Sequence, residues 1–120
     1  MSKPNVETEV ITWLSGIVGA DWLVAGNKPQ TPPEQYILVD RTGGPRESMV
    51  LDQAEILIEV YHKNSRLTAS DKAQDIADLI PELTKIHNIT RAKVNSLVNL
   101  NDTIGQYERY QIYCDIHCRR

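Results

Sequence analysis

The residues best suited to chemistry lie near the end of the chain, where Cys114, His117 and Cys118 follow one another closely. Thiolates and imidazoles are zinc ligands, so this grouping is first considered as a metal site. The surrounding residues alternate between apolar and polar, which is typical of a strand, so the two cysteines share one face and His117 lies on the other. The cysteines would be roughly 13 Å apart, whereas a disulfide requires Cα atoms within about 7 Å. We therefore predict two buried free thiols and no bound metal.

No other group of residues has the spacing that catalysis needs. Glu55 and Glu59 share a strand face but would lie about 13 Å apart, too far for the paired carboxylates of glycoside hydrolysis. The segment 43–46, Gly-Gly-Pro-Arg, lacks the spacing and the Lys-Ser/Thr pair of a phosphate-binding loop. Each histidine stands alone as a surface or strand-end residue: His62, His87 and His117. The sequence therefore predicts a protein that is not an enzyme and holds no cofactor.

Two predicted strands, 36–40 and 54–61, form the centre of the fold. In the second strand Ala54 and its alternate neighbours are apolar, whereas the other face carries Glu55 and Glu59. A period of two with carboxylates on one side indicates a sheet with one buried and one largely solvated face. Glycine and proline in the connection between the strands allow a turn and interrupt pairing. We predict a central hairpin.

The sequence also predicts two amphipathic helices. The first is predicted over residues 4–17, where apolar side chains recur at helical spacing. The second has a stripe of alanines and isoleucines and begins at a capping hydroxyl, either Thr68 or Ser70. Pro81 ends or kinks this helix, and residues 82–86 form a last irregular turn.

Three further strands complete the prediction. A short edge strand covers residues 22–24, and alternating patterns predict longer strands over 89–98 and 109–118. The order is α-β-β-β-α-β-β. We predict a single α+β domain over residues 1–120, with a mostly antiparallel or mixed sheet and two helices packed on one face.

The composition of the 120 residues narrows the classes of partner. The net charge of −3 gives no general attraction to nucleic acid or to anionic lipid. No apolar run is long enough for a membrane span, and no basic-then-apolar leader opens the chain. We therefore predict no membrane association and a reducing compartment.

Two irregular segments are the candidate interaction sites. The loop 25–35 is long for so small a domain and rich in proline, which favours contact with a partner. The hairpin turn carries arginines, whose planar side chains can hold a carboxylate through two parallel hydrogen bonds. The predicted interface residues are Arg41, Gly43, Gly44, Pro45, Arg46, Pro29, Pro32 and Pro33. The carboxylates expected to receive Arg46 from a neighbouring subunit are Glu55, Glu59, Asp71, Asp75 and Asp78.

The whole chain resembles the tail terminator, or tail-completion, proteins of long-tailed, lambda-like siphophages. The resemblance is carried by the opening helix segment 6–14, the hairpin segment 36–46 and the strand 54–61. The alanine-rich second helix, which runs to Leu79-Ile80-Pro81, and the long tyrosine-bearing last strand also match.

The resemblance implies a structural virion protein. Six copies would form a ring at the top of the tail tube, end polymerisation of the major tail tube protein, and join the tail to a neck or head-completion protein. Genomic DNA would pass through the lumen without specific binding, and an acidic lumen would let it slide. The protein would reside at the tail–neck junction of the virion, and in the host cytoplasm during assembly.

Two other readings stay open at the level of sequence. One is a different ring-forming neck component, such as a head-closure or connector protein, which co-assembly with portal rather than tube subunits would reveal. The other is a cellular α+β module that binds a protein or a small ligand. A deep apolar pocket with convergent polar groups would favour the ligand-binding module.

Overall fold

The computed structural model describes residues 6–31, 33–43, 51–86, 89–100 and 107–119. The elements follow the predicted order α-β-β-β-α-β-β, with one short 3₁₀ helix after the second α-helix. Their bounds are α1 Val6–Val18, β1 Leu23–Ala25, β2 Gln35–Gly43, β3 Leu51–His62, α2 Arg66–Leu79, the 3₁₀ helix Ile80–Lys85, β4 Ile89–Asn99 and β5 Glu108–Arg119.

The five strands form one mixed sheet in the order β1-β2-β3-β5-β4. The predicted hairpin is confirmed, because β2 and β3 pair antiparallel with Tyr36 opposite Tyr61. On its other side β3 pairs along its whole length with β5, from Leu51 opposite Arg119 to His62 opposite Glu108. Only β1 runs parallel to its neighbour β2. The β3 strand is therefore the central strand of the sheet, which explains its continuous apolar face.

Both helices pack on the same face of the sheet, as predicted. One apolar core joins α1, through Val10 and Leu14, and α2, through Ala73 and Ile76, to buried side chains of the strands. The apolar faces of the two long inner strands contribute Ala54, Ile56, Ile58, Val60, Ile112, Cys114, Ile116 and Cys118. The result is a two-layer α+β domain with its core between the layers.

The α1 helix buries residues at a spacing of four, Val6, Val10, Leu14 and Val18. Residues this far apart lie on one side of a helix, so the stripe faces the sheet. The helix ends where Gly19 takes a φ of 87°. This left-handed conformation is unfavourable for residues with a Cβ, so glycine is the residue suited to the position.

The start of α2 differs from the prediction, because the helix begins at Arg66 and Ser65 is its cap. The Ser65 side chain accepts a hydrogen bond from the Thr68 backbone N–H at 3.0 Å, so neither Thr68 nor Ser70 is the cap. The backbone N–H groups of Asn64 and Ser65 donate to Nδ1 of His62, at 3.1 and 3.0 Å. These two hydrogen bonds hold the turn directly after β3, so the helix begins closer to the strand than predicted.

Pro81 ends the α-helix as predicted, and the chain continues as the 3₁₀ helix. A proline cannot donate to the carbonyl four residues before it, which favours the tighter turn here.

The alternation predicted for β4 is interrupted. Ile89, Ala92, Val94 and Leu97 all contact the core, although strict alternation would place them on two faces. The register between β4 and β5 shifts twice, between Ile89 and Arg91 and between Val94 and Ser96. Each irregularity changes the face to which the following residues point, which brings the four apolar side chains to one side.

Candidate functional site

The sheet face opposite the helices, here called the open face, carries the aromatic and charged groups that the core does not use. It is formed by alternate residues of the inner strands, and neither helix of the described chain packs on it. Its members are Tyr36, Leu38, Asp40, Glu55, Leu57, Glu59, Tyr61, Arg109, Gln111, Tyr113 and Asp115.

Three tyrosines from separate segments meet at one end of the open face. The rings of Tyr36 and Tyr61 stack with centroids 4.5 Å apart and planes 8° from parallel. Tyr107 meets both edge-on, at 5.4 and 6.0 Å. All three are buried, so this end of the face, which was predicted to be largely solvated, is not. Aromatic pairs in these geometries stabilise beyond the area they bury.

Tyr107 also connects the proline-rich loop to the sheet. Its hydroxyl donates a hydrogen bond of 2.7 Å to the backbone carbonyl of Pro33. Nearby, the backbone N–H of Lys63 donates to the carbonyl of Glu34 at 2.8 Å. The end of the predicted interaction loop is therefore fixed against β3 and Tyr107.

A polar network continues from the tyrosines across β3 and β5. Arg109 Nη1 lies 3.4 Å from Glu59 Oε2, and the Arg109 guanidinium lies 5.9 Å from the centre of the Tyr61 ring. Gln111 Nε2 donates to the same Glu59 oxygen at 3.0 Å, and the Tyr113 hydroxyl donates to Gln111 Oε1 at 3.4 Å. The Glu59 carboxylate is thus already bound within its own subunit.

Among the groups of this network, Tyr61 has a pKa that its surroundings shift. Burial raises the pKa of Tyr61 above its ordinary value of 10.0, although its hydrogen bond with Arg109 acts in the opposite direction. The phenol is therefore neutral near pH 7. With Glu59 held by Arg109 and Gln111, the arrangement can stiffen a contact surface.

The cysteines occupy the predicted positions. Cys114 and Cys118 are buried free thiols on the core side of β5. His117 lies between them in sequence and pairs with Gln53 of β3 and Arg91 of β4. Burial, with a smaller contribution from the charge of Asp115, raises the pKa of Cys114 from 9.0 to about 12. Such a thiol is inert near neutral pH, because the reactive thiolate is scarce.

Only four of the predicted interface residues lie in the part of the chain that the structure describes, namely Arg41, Gly43, Pro29 and Pro33. Arg41 is half-buried and its Nη2 donates to the Gln53 carbonyl at 3.3 Å, so its side chain contacts its own β3. Gly43 is the last residue of β2, next to a register shift. Pro29 and Pro33 lie in the loop before β2. Outside the described residues lie Pro32, Gly44, Pro45 and Arg46, and also His87.

A second candidate site lies on the helical side, where α1 and α2 leave an open cleft of about 350 Å³, here called the α1–α2 cleft. Its apolar lining comes from Ile17 and Val18 of α1 and from Ile76 and Leu79 of α2. Its charged lining comes from α2 alone and consists of Lys72, Asp75 and Asp78.

Another groove, of about 390 Å³, lies between α1 and the residue that follows the 3₁₀ helix. Its lining is almost entirely apolar in area, with Trp13 and Ile86 as its largest apolar side chains. Thr8, Glu9 and Thr12 of α1 complete its lining.

Sequence reasoning missed the tyrosine cluster and the Glu59 network. The alternation in β3 and β5 correctly placed Glu59, Arg109 and Gln111 on the polar faces of their strands. The pattern did not reveal that β3 and β5 are neighbours or that Glu59 stands opposite Gln111. Tyr107, which directly precedes β5, gave no periodic signal.

Among the described residues, no three or more histidine, cysteine, aspartate or glutamate side chains are grouped so that they could hold a metal ion. None of the helices in the described ranges has the length and apolar character needed to cross a membrane. Comparisons of the chain with protein-family models and with curated proteins gave no match.

Proposed function

We propose that this protein is a structural subunit of a closed ring, and that the ring is the terminator at the top of a siphophage tail tube. The ring, of six subunits, ends polymerisation of the tube, contacts the neck, and lets genomic DNA pass through its lumen.

The observation that carries this proposal is the one-sided arrangement of the domain. Helices cover one face of the sheet, whereas the opposite face presents the partly exposed apolar side chains Leu38, Leu57 and Tyr113. At the edge of the sheet, β4 has 11 residues and no strand of the described chain pairs with its outer side. Open faces and free strand edges are sites where another chain can pack or pair.

The acidic balance of the chain, −3 overall, also suits a lumen through which DNA slides. The Glu59 network supports a contact role for the open face, because the bonds of Glu59 with Arg109 and Gln111 fix these side chains within the subunit.

The test is the mass of the purified protein by native mass spectrometry, combined with negative-stain images. We expect a hexamer near six times 13.6 kDa and annular particles. Since a ring of this kind could close only on the tube, the same measurement is repeated with the major tail tube protein present. Rings that cap tube ends and limit tube length support the proposal. A monomer under both conditions contradicts it, and rings that bind portal but not tube indicate a head-closure protein.

A further inference from the structure

The open face ends at β4, where its side chains are basic and apolar. Its β4 residues are Arg91, Lys93 and Val98, which pair with His117, Asp115 and Gln111 on the polar side of β5. Arg91 and Lys93 are exposed, and neither forms an ion pair with a described residue. Val98 is 42% exposed. These three residues, here called the β4 patch, therefore present positive charge beside an uncovered apolar side chain.

The side of α2 that points away from the sheet has the opposite charge. It carries Leu67, Asp71, Asp75 and Asp78, at intervals of three or four residues. Leu67 is 71% exposed, and the three aspartates are exposed and form no ion pair with a described residue. Lys72 of the same helix lies elsewhere, with its Nζ 5.5 Å from the centre of the Trp22 ring. This outer side of α2 complements the β4 patch in charge, and each surface has one apolar member.

The two surfaces cannot meet within one subunit. The α2 helix packs on the helical side of the sheet, and its outer side points away from the sheet, whereas the β4 patch belongs to the open face. Contact of either surface with the same surface of a second copy would place like charges together. Complementary contact therefore joins α2 of one copy to β4 of the next, which is a head-to-tail arrangement that generates rings or filaments.

The backbone of β4 indicates that a helix, rather than another strand, packs there. The register with β5 shifts between Ile89 and Arg91 and again between Val94 and Ser96. Such bulges twist an edge strand and interrupt the row of backbone groups to which a further strand would bind, and lysine on an edge acts in the same direction. A helix binds through its side chains, so it does not need an even row of backbone groups.

The spacing of the groups agrees along the two elements. From Leu67 to Asp78 the helix rises about 16 Å, at about 1.5 Å per residue. From Val98 back to Lys93 the strand covers about 16 Å, at about 3.3 Å per residue. When α2 lies antiparallel to β4, the apolar members coincide at one end and the charged members coincide at the other.

We propose that the outer side of α2 of one copy packs on the β4 patch of the next copy. Leu67 contacts Val98 at one end of this contact. Arg91 and Lys93 bind Asp78 at the other end, and the remaining aspartates of α2 add to the attraction. The contact repeats from copy to copy until the ring closes. This inference rests on the proposed ring and names the contact that forms it.

Charge reversal in two separate variants tests the contact. One variant carries Arg91→Glu and Lys93→Glu, and the other carries Asp75→Lys and Asp78→Lys. Each variant alone brings like charges together at every contact. Native mass spectrometry should therefore show an at least tenfold weaker association, since each exposed ion pair contributes up to about fivefold and is replaced by repulsion.

Mixing the two variants in equal amounts gives the decisive result. When the two kinds of copy alternate, every contact again joins opposite charges, so assemblies should return with equal numbers of the two masses. The control is Lys28→Glu with Lys63→Glu, which changes the net charge equally at exposed lysines outside both surfaces and should leave assembly unchanged. Full assembly of either reversed variant alone, an equal loss in the control, or no recovery on mixing overturns the inference.

Leu67→Ser tests the apolar end of the contact without altering a charge. Because Leu67 is largely exposed, its replacement should leave urea unfolding unchanged but weaken association severalfold. Leu23→Ser, at a leucine of β1 that is 44% exposed, is the matched control and should leave association unchanged. These two variants decide the question if a charge-reversed chain does not fold. Equal association of the two serine variants overturns the inference.

The same samples separate this inference from the proposed function. Rings that tolerate the charge reversals would retain the terminator proposal and reject this contact. Open chains that require the matched pair of variants but do not close, with or without tube protein, would retain the contact and reject the terminator. A wild-type monomer under both conditions would reject both.

Discussion

Replacing the buried thiol Cys114 with serine tests whether the cysteine is a structural residue of the core. Cys114 is 1% exposed and lies between Ile56 of β3 and Val94 of β4 in the sheet. Cys114→Ser places a hydroxyl at this apolar position. A buried hydroxyl without a hydrogen-bond partner costs about 1–3 kcal/mol in the free energy of unfolding. For a domain of this size, each kcal/mol lowers Tm by roughly 3–6 °C.

The assay is urea unfolding followed by tryptophan fluorescence, because Trp13 and Trp22 both contact the core. Cys114→Ala is the control, since it also removes the sulfur but adds no polar group. We expect the serine variant to unfold at lower urea than the alanine variant, with the same dependence on urea. Equal stability of the two variants would refute the reasoning. So would stoichiometric zinc in the wild-type protein that is lost in the serine variant.

The raised pKa of Cys114 adds a pH dependence with a defined sign. The folded state holds the thiol proton more tightly than the unfolded state, because its pKa rises from 9.0 to about 12. The contribution of this thiol to the free energy of unfolding is therefore fully present below pH 9 and is lost as the pH rises towards 12. Burial of Tyr61 acts in the same direction, so the wild-type protein must be compared with Cys114→Ala. The difference in stability between the two should change between pH 8 and pH 11, and a constant difference would contradict the assignment.

Two further substitutions test the open face and the hairpin. Tyr107→Phe keeps the ring but removes the 2.7 Å hydrogen bond to Pro33. We expect the free energy of unfolding in urea to fall by about 1 kcal/mol and proteolysis near the loop 25–35 to become faster. An unchanged cleavage rate there would show that the hydrogen bond does not restrain the loop. Arg46→Ala should leave the circular dichroism spectrum unchanged but reduce the yield of rings, and Arg41→Ala should reduce this yield less. Normal-length tails with a full set of rings in Arg46→Ala would contradict the proposed role of the turn.

Local sequence determined the elements and the faces they bury. In β3 and β5 a period of two fixed which side chains enter the core, because successive residues of a strand point to opposite faces. In α1 the helical spacing of Val6, Val10 and Leu14 did the same for a helix, although Ile17, which belongs to the same pattern, is 41% exposed. These patterns were sufficient for the order α-β-β-β-α-β-β and for two helices on one face, since each element has only one apolar side to bury.

The local sequence predicted the boundaries of elements less well where a boundary depends on a group from another part of the chain. Ser65 became the cap of α2 because the imidazole of His62 accepts two backbone N–H groups and turns the chain. The two register shifts in β4 likewise depend on pairing with β5. A single sequence contains no signal for either, because the partner group is supplied by the folded chain.

The candidate contact surfaces were decided by tertiary structure alone. Tyr36, Tyr61 and Tyr107 are far apart in sequence, and only the strand order β2-β3-β5 brings their rings together. The sequence identified Asp75 and Asp78 as polar residues of α2, but the cleft beside them exists only because α1 packs next to α2. Periodicity specifies which face of an element is apolar, whereas a site between elements depends on their relative placement, which is set by long-range packing and strand register.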